Sequence, residues 1–272
     1  MPDIHPGWGV APWRIDFSPS AAQIPSGADV AVIGGGFTGL AAAAWLRRIA
    51  PEKSVVVLEA GRIGAGASGR TGGMALAETA AGDLPGLGNV LAGFNSILQF
   101  LGVECDLSLR GAWEIARANP PGAALAESPI AWNDSGTLRV VREIPGGTLD
   151  PGKLVSGLAR AAESLGAVIY EDHAVERIEW NETPELLLRE DSSSRLRKIK
   201  AGKILFATNA LSLALSEFAA GMHPRLTLAV ATATPVVPLP TATTAPPQPT
   251  QQAAPVATPT TENGQRSRSQ KA

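Results

Sequence analysis

The sequence predicts an α/β fold: a parallel sheet begun by a βαβ unit, a smaller antiparallel region, and a disordered C-terminal tail. Three observations carry this. The apolar run Val30 to Ile33 leads directly into Gly34-Gly35-Gly36-Phe37-Thr38-Gly39. A second apolar run, Val55 to Leu58, ends on Glu59. From Pro235 onward the composition narrows to Pro, Thr, Ala and Gln, with Leu239 the only leucine and no aromatic residue.

The chain opens with an arm, His5 to Trp13, whose prolines and glycines exclude a regular helix; its two tryptophans, Trp8 and Trp13, are expected to pack on the domain surface. Val30 to Ile33 reads as a strand buried in a parallel sheet. Gly34, Gly36 and Gly39 then fill the three glycine positions of G-x-G-x-x-G. The first permits the tight turn, the second lets backbone approach a pyrophosphate, and the third lets the next helix pack on the strand. A helix from about Thr38 to Ile49 points its N-terminal amides at the phosphates. Glu59 lies about 20 residues beyond Gly39, at the end of the second strand, where an acid accepts hydrogen bonds from ribose hydroxyls and repels a 2′-phosphate. This constellation reads as a site for the ADP half of a dinucleotide; the alternative is a purely structural βαβ turn.

Arg62 to Met74 is rich in glycine, as a backbone lying against a flat or charged ligand requires, although composition alone also fits a flexible loop. Helical spacing of Val90, Leu91, Phe94, Leu98 and Leu101 predicts a core-facing helix over about 87–101. Ala112 to Ala116 and Thr137 to Val141 read as antiparallel strands. Asp150 and Pro151 form an N-cap and first-turn proline for a helix whose buried face is Leu154, Val155, Leu158, Ala161, Ala162 and Leu165, and Gly166 ends it. Strands follow at Ala167 to Tyr170 and Ala174 to Ile178, then a polar hairpin near Glu190 to Arg197. Lys203 to Ala210, an apolar strand ending in small and polar residues, closes the series.

With 272 residues and 44% hydrophobic content the chain can bury a sizeable core. A net charge of −2 gives no footprint for nucleic acid. No apolar run reaches bilayer length and residues 1–25 lack a signal-like core, so a cytoplasmic protein is expected. Cys105 is the single cysteine, and His5, His173 and His223 lack metal-ligand spacing, so no metal site is expected. The tail cannot bury enough apolar surface to offset its ordering entropy.

These motifs, over about 28–228, resemble the FAD-dependent oxidoreductases of the D-amino acid oxidase and glycine oxidase superfamily, within it the branch of γ-glutamylputrescine oxidoreductase and D-amino acid dehydrogenase. The resemblance implies FAD as cofactor, held on a Rossmann-like parallel sheet beside an antiparallel substrate domain. It places the pyrophosphate at Gly34, Gly36 and Gly39 and the adenosine ribose at Glu59, with Phe37, Thr38 and Ala60 also among the cofactor-binding residues. Ser68, Arg70, Thr71, Gly72 and Gly73 fall in the family's loop along the flavin side, Val175 makes a backbone contact to adenine, and Ala207 and Thr208 form a turn beside the dinucleotide. Arg70 could instead be an ordinary surface arginine. The implied domains are an arm over 1–27, FAD-binding parts at 28–80 and 146–228, a partial substrate domain at 81–145, and the tail at 229–272. The implied reaction is hydride transfer from a small-molecule amine or amino acid to flavin, giving an imine that hydrolyses; no catalytic residue is implied. Because the family continues where this chain runs into its Pro/Thr tail, a C-terminally truncated member is expected. An inactive nucleotide-binding remnant and an NAD-dependent dehydrogenase are the alternatives.

Overall fold

A computed structural model describes residues 11–20, 22–77, 89–117, 138–190 and 196–209. Leu87 and Gly88, the strand start at Thr137, and everything from Ala210 on, including the expected tail, lie outside the described residues.

Strand β1 (Gly27–Ile33) runs into helix α1 (Phe37–Ile49), which returns the chain to β2 (Val55–Leu58), parallel to β1. Alternate residues of these strands point to opposite faces, and both faces are buried, so the strands read as unbroken apolar runs. Val32, Val55 and Val57 face α1 and a later helix, α3 (Pro151–Ser164). Ala31, Ile33, Val56 and Leu58 face the opposite side.

At the entry to β1 and β2 a polar clip fixes their register. The Asp29 amide donates to Ser54 Oγ, and Ser54 returns its own amide and hydroxyl to Asp29 Oδ2, all at 2.8 Å. These bonds, the Ser54 amide first, hold the Asp29 carboxyl below the usual aspartate range against a small opposing effect of burial. A lowered pKa stabilises the fold above the unfolded value and is lost as pH falls through the folded one. The Tm advantage of wild type over Asp29→Asn is therefore expected to shrink as pH drops from about 6 to about 3. A thermal scan series across that range checks it; a constant difference would remove the clip's ionic component.

Between the two halves of the sheet the chain forms β3 (Met74–Leu76), α2 (Val90–Leu101), β4 (Ala112–Arg117), β5 (Leu138–Ile144) and β6 (Gly146–Thr148). β4 pairs with β5 and β3 with β6, both antiparallel. Helix α2 is capped by the Asn89 side chain and ends at the left-handed Gly102. Its inward stripe is narrower than the sequence spacing predicts. Leu98 is buried and Phe94 and Leu101 pack on the core, whereas Val90 is 39% exposed. Phe100, on the outer side, sits 5.6 Å from the Trp45 ring, with the Arg48 guanidinium 4.7 Å from its centroid.

Helix α3 follows its sequence signals. The Asp150 carboxylate accepts from the Lys153 amide, Pro151 opens the helix, the predicted apolar face is buried apart from the half-buried Leu165, and Gly166 ends it with φ of 93°. Then come β7 (Val168–Tyr170), β8 (His173–Glu179), β9 (Glu185–Glu190) and β10 (Leu196–Phe206). The sheet order is β7-β2-β1-β10-β9-β8. The hairpin and the closing strand, separate in the sequence reading, share one element: β10 pairs antiparallel with β9 through Leu196 to Lys200 and parallel with β1 through Lys200 to Phe206. The strands on either side of the hairpin's turn carry an apolar face, since Leu186, Leu188 and Ile199 are fully buried. The charged residues interleaved with them hide the apolar alternation from a simple count. This antiparallel extension covers the second face of the sheet, where Val175, Leu186 and Leu188 pack with Val56 and Leu58.

Among the described residues no helix is long and apolar enough to cross a membrane, and no cluster of potential ligands could hold a metal ion. Cys105 is buried, and that burial pushes its thiol pKa up, so it is a packing residue.

Candidate functional site: the carboxyl edge of the parallel sheet

β1 lies between its two parallel neighbours β2 and β10, and the carboxyl ends of the three strands meet at one edge of the sheet, the side on which parallel sheets bind their ligands. Gly34 lies there. Its amide donates to Leu58 O at 2.9 Å, and the Ala207 amide donates to Ile33 O at 2.8 Å, so three strand ends are tied at one point. Gly34 has φ of 109°, and a Cβ there would lie 2.6 Å from Ala207 O. Only glycine satisfies both conditions. Gly39 brings α1 onto the strand so closely that a Cβ would lie 1.9 Å from Gly34 O.

Gly36 is small for another reason. Its backbone is extended, with φ of −88°, and any residue could adopt it. A Cβ there would instead meet Ser68 Oγ at 2.7 Å. That hydroxyl accepts a hydrogen bond from the Phe37 amide at 3.0 Å, the first amide of α1, and keeps its own proton to donate. Neither an acidic side chain in the first turn nor a side-chain N-cap competes for this helix end, where Thr38 and Gly39 follow Phe37.

Glu59 stands at the end of β2. Its carboxylate accepts from the Gly35 amide at 2.7 Å and the Gly61 amide at 3.0 Å, so it braces the glycine turn as well as marking the strand end. Ala60, half-buried, continues the chain into that bracket.

Beyond it, Gly64 N donates to Gly35 O and Gly69 N to Gly64 O, both at 2.9 Å, which folds the loop back over the start of α1. Arg70 Nε donates to Ala65 O at 3.1 Å within the same loop. At the far end, Gly73, with φ of 73°, accepts from the Leu149 amide at 2.8 Å and so docks the loop on the start of α3. Gly66 and Gly72 have nothing within 4 Å of where a Cβ would stand. Val175 buries its side chain in the second-face cluster, and the β8–β9 ladder slips between Val175 and Arg177. Such a bulge disturbs main-chain pairing beside the position expected to face adenine. Ala207, Thr208 and Asn209 leave β10 by a turn in which Asn209 has φ of 50°.

The structure thus brings Gly34, Gly36, Phe37, Thr38, Gly39, Glu59, Ser68 and Ala207 to one edge. Two contributors escaped the sequence reading. Glu171, its side chain 6% exposed, accepts from the Ile63 amide at 2.8 Å and from Arg62 at 2.7 Å, fixing the loop's entry. Glu171, with help from Asp172, raises the Arg62 guanidinium further above its ordinary range. Trp13 donates its indole N–H to Thr71 O at 2.8 Å.

A family model described as FAD dependent oxidoreductase matches residues 29–265. The chain belongs to that family. Membership makes FAD the cofactor and sets aside the nicotinamide alternative. A curated relative, the probable oxidoreductase OrdL of Haemophilus influenzae, is 57% identical over 49 residues, which is 18% of this chain and 11% of that protein. The glycine oxidase of Geobacillus kaustophilus shares the fold with a TM-score of 0.51 at 21% identity, over 70% of this chain and 57% of that one. An L-amino acid deaminase of Proteus myxofaciens gives 0.47 at 19% identity, over 73% and 49%. The chain therefore spans about half the length of these solved structures.

The residues present fit the family's dinucleotide. Gly34 and Gly39 let strand and helix close into a tight turn at the strand ends, the first turn of the helix carries no acidic residue, and an acid stands at the close of β2.

Proposed function

We propose that this protein oxidises a small-molecule amine or amino acid, using FAD bound at the carboxyl edge of the sheet. One observation carries the reading: Gly34, Glu59 and Ser68, from three separate segments, converge on the N-terminus of α1 in a member of the FAD dependent oxidoreductase family. The amides of Thr38 and Gly39 hold the pyrophosphate together with the Ser68 hydroxyl, which the Phe37 amide keeps in place. Glu59, at the close of β2, takes the ribose hydroxyls, Val175 contributes main chain to the adenine, and Ala207 and Thr208 close the near side. Residues 70–73 run along the flavin, with Arg70 bracing that segment through Ala65. Bound FAD supplies the acceptor for a hydride from the carbon that carries the amine. The chain's part is to position cofactor and substrate and to exclude water, which calls for no acid or base at a fixed position. The amine class is supported by the fold shared with a glycine oxidase.

The test is anaerobic reduction of the FAD-reconstituted chain by a panel of amines, D-amino acids, L-amino acids and 2-hydroxy acids. Loss of oxidised flavin absorbance with an amine at ordinary enzyme rates, on the order of 1–10³ s⁻¹, is expected. Reduction by hydroxy acids alone would overturn the substrate class. Tight FAD binding without any reduction would favour a nucleotide-binding role.

A further inference from the structure

The segment before β1 is a strap. Residues 11–20 form neither helix nor strand, and partly buried residues alternate with exposed ones along them. It runs along α3: a Cβ at Gly152 would lie 2.2 Å from Arg14 O, the Asp16 amide donates to Ser156 Oγ at 2.8 Å, and Arg160 donates to Asp16 O at 2.7 Å. Ser156 is 1% exposed and also donates to Gly152 O, so the strap is seated on a built, buried polar contact.

Its upper end reaches the cofactor loop. Trp13 Nε1 donates to Thr71 O. Ile15 lies beneath the loop's two crossing points, since a Cβ at Gly64 would meet its Cδ1 at 2.6 Å and one at Gly69 at 3.4 Å. Between those contacts sits Ser68, bonded to the first amide of α1. Thr71 is three residues further along the chain, on the side of Ser68 away from Glu59.

We propose that Trp13 and Ile15 are positioning residues for the cofactor, holding the Gly64–Gly73 loop at the flavin end of the site. The inference rests on the reading that Glu59 marks the ADP half and residues 70–73 the flavin half. Trp13 touches no cofactor atom in this scheme. It acts through Thr71, whose carbonyl it fixes, and so sets the path of Gly72 and Gly73. Ile15 props the same loop from below, and a loop without these contacts samples other paths before the cofactor arrives.

The test compares the full chain with its Trp13→Phe variant, which keeps an aromatic ring and removes the N–H. FAD and ADP are titrated separately, and amide exchange is followed in the cofactor-free proteins. A rise of about three- to tenfold in Kd for FAD is expected, the size of one lost hydrogen bond, with Kd for ADP changed less than about twofold. Faster exchange at residues 64–73, with α3 unchanged, should accompany it. Ile15→Val, which removes only the Cδ1 methyl, is the milder second variant and should move FAD affinity in the same direction by about twofold or more. It decides the matter if Trp13→Phe does not accumulate folded. Unchanged FAD affinity overturns the proposal. Equal weakening of FAD and ADP also overturns it, because the arm would then support only the fold. A wild type that binds ADP but not FAD overturns the flavin reading itself, and the inference with it.

Discussion

Gly39→Ala is expected to cost the protein most of its stability and its cofactor. The new methyl would stand 1.9 Å from Gly34 O, a backbone atom that cannot swing aside, so β1 and α1 must separate. Overpacking of a core typically costs about 1–3 kcal/mol, and a backbone clash of this depth belongs at or above the top of that range. Domains are stable by only about 5–15 kcal/mol, so a large drop in Tm or in soluble yield follows. Any folded fraction carries a displaced helix N-terminus, and its FAD affinity is expected to fall by about 10²-fold. Gly36→Ala is the comparison. There the obstacle is the Ser68 hydroxyl, the tip of a side chain that can rotate, and the backbone is ordinary. It should cost roughly the one bond from Phe37 to Ser68, about 0.5–1.5 kcal/mol. Chemical denaturation of both variants, with FAD titration of each, checks the pair; equal effects would mean that helix–strand contact at Gly39 is unimportant.

Glu59→Ala should weaken both the fold and the cofactor complex. The carboxylate accepts from the Gly35 amide in the glycine turn and from the Gly61 amide just beyond it, and hydrogen bonds to charged groups contribute about 1.5–3 kcal/mol each. Loss of about 2–4 kcal/mol of stability is expected, together with a rise in Kd for FAD of at least about tenfold from the lost ribose contacts. The same charge should discriminate by ligand. Wild type is expected to bind ADP and to reject its 2′-phosphorylated form, whereas Glu59→Gln narrows that gap. Calorimetric titration with the two nucleotides reads it directly, and equal affinities in wild type would remove Glu59 from the ribose.

Much of this was legible along the chain because the informative signals are local. Three glycines after an apolar run, an acid closing the next one, and Asp150-Pro151 before a periodic stretch each encode their structure within a few residues. What escaped depends on distant partners. Glu171 reads as a surface acid until the fold sets it under the Ile63 amide, 108 residues earlier in sequence. Leu196 to Phe206 contains Arg197, Lys198, Lys200 and Lys203, so it reads as two pieces; the residues between the charges, Ile199 and Ala201, are nevertheless fully buried. The arm did carry a signal. Trp13, Ile15 and Phe17 alternate with Arg14, Asp16 and Ser18, the period of an extended segment lying on a surface, and the preceding prolines and glycines drew attention away from it. The bonds from Arg70 to Ala65 and from the Phe37 amide to Ser68 are likewise specified by no motif.

The double pairing of β10 has a consequence for the order in which this protein is made. β1 acquires its first neighbour, β2, within about 30 residues, but its second arrives about 170 residues later. During synthesis at roughly 5–20 residues per second, the open side of β1 therefore waits on the order of ten seconds without its partner. A bare apolar strand edge is a template for mispairing with other chains. Topologies dominated by such distant pairings also fold slowly. The nascent chain is thus most vulnerable to aggregation before Ala207 emerges, and the cofactor site, which needs both neighbours of β1, forms late.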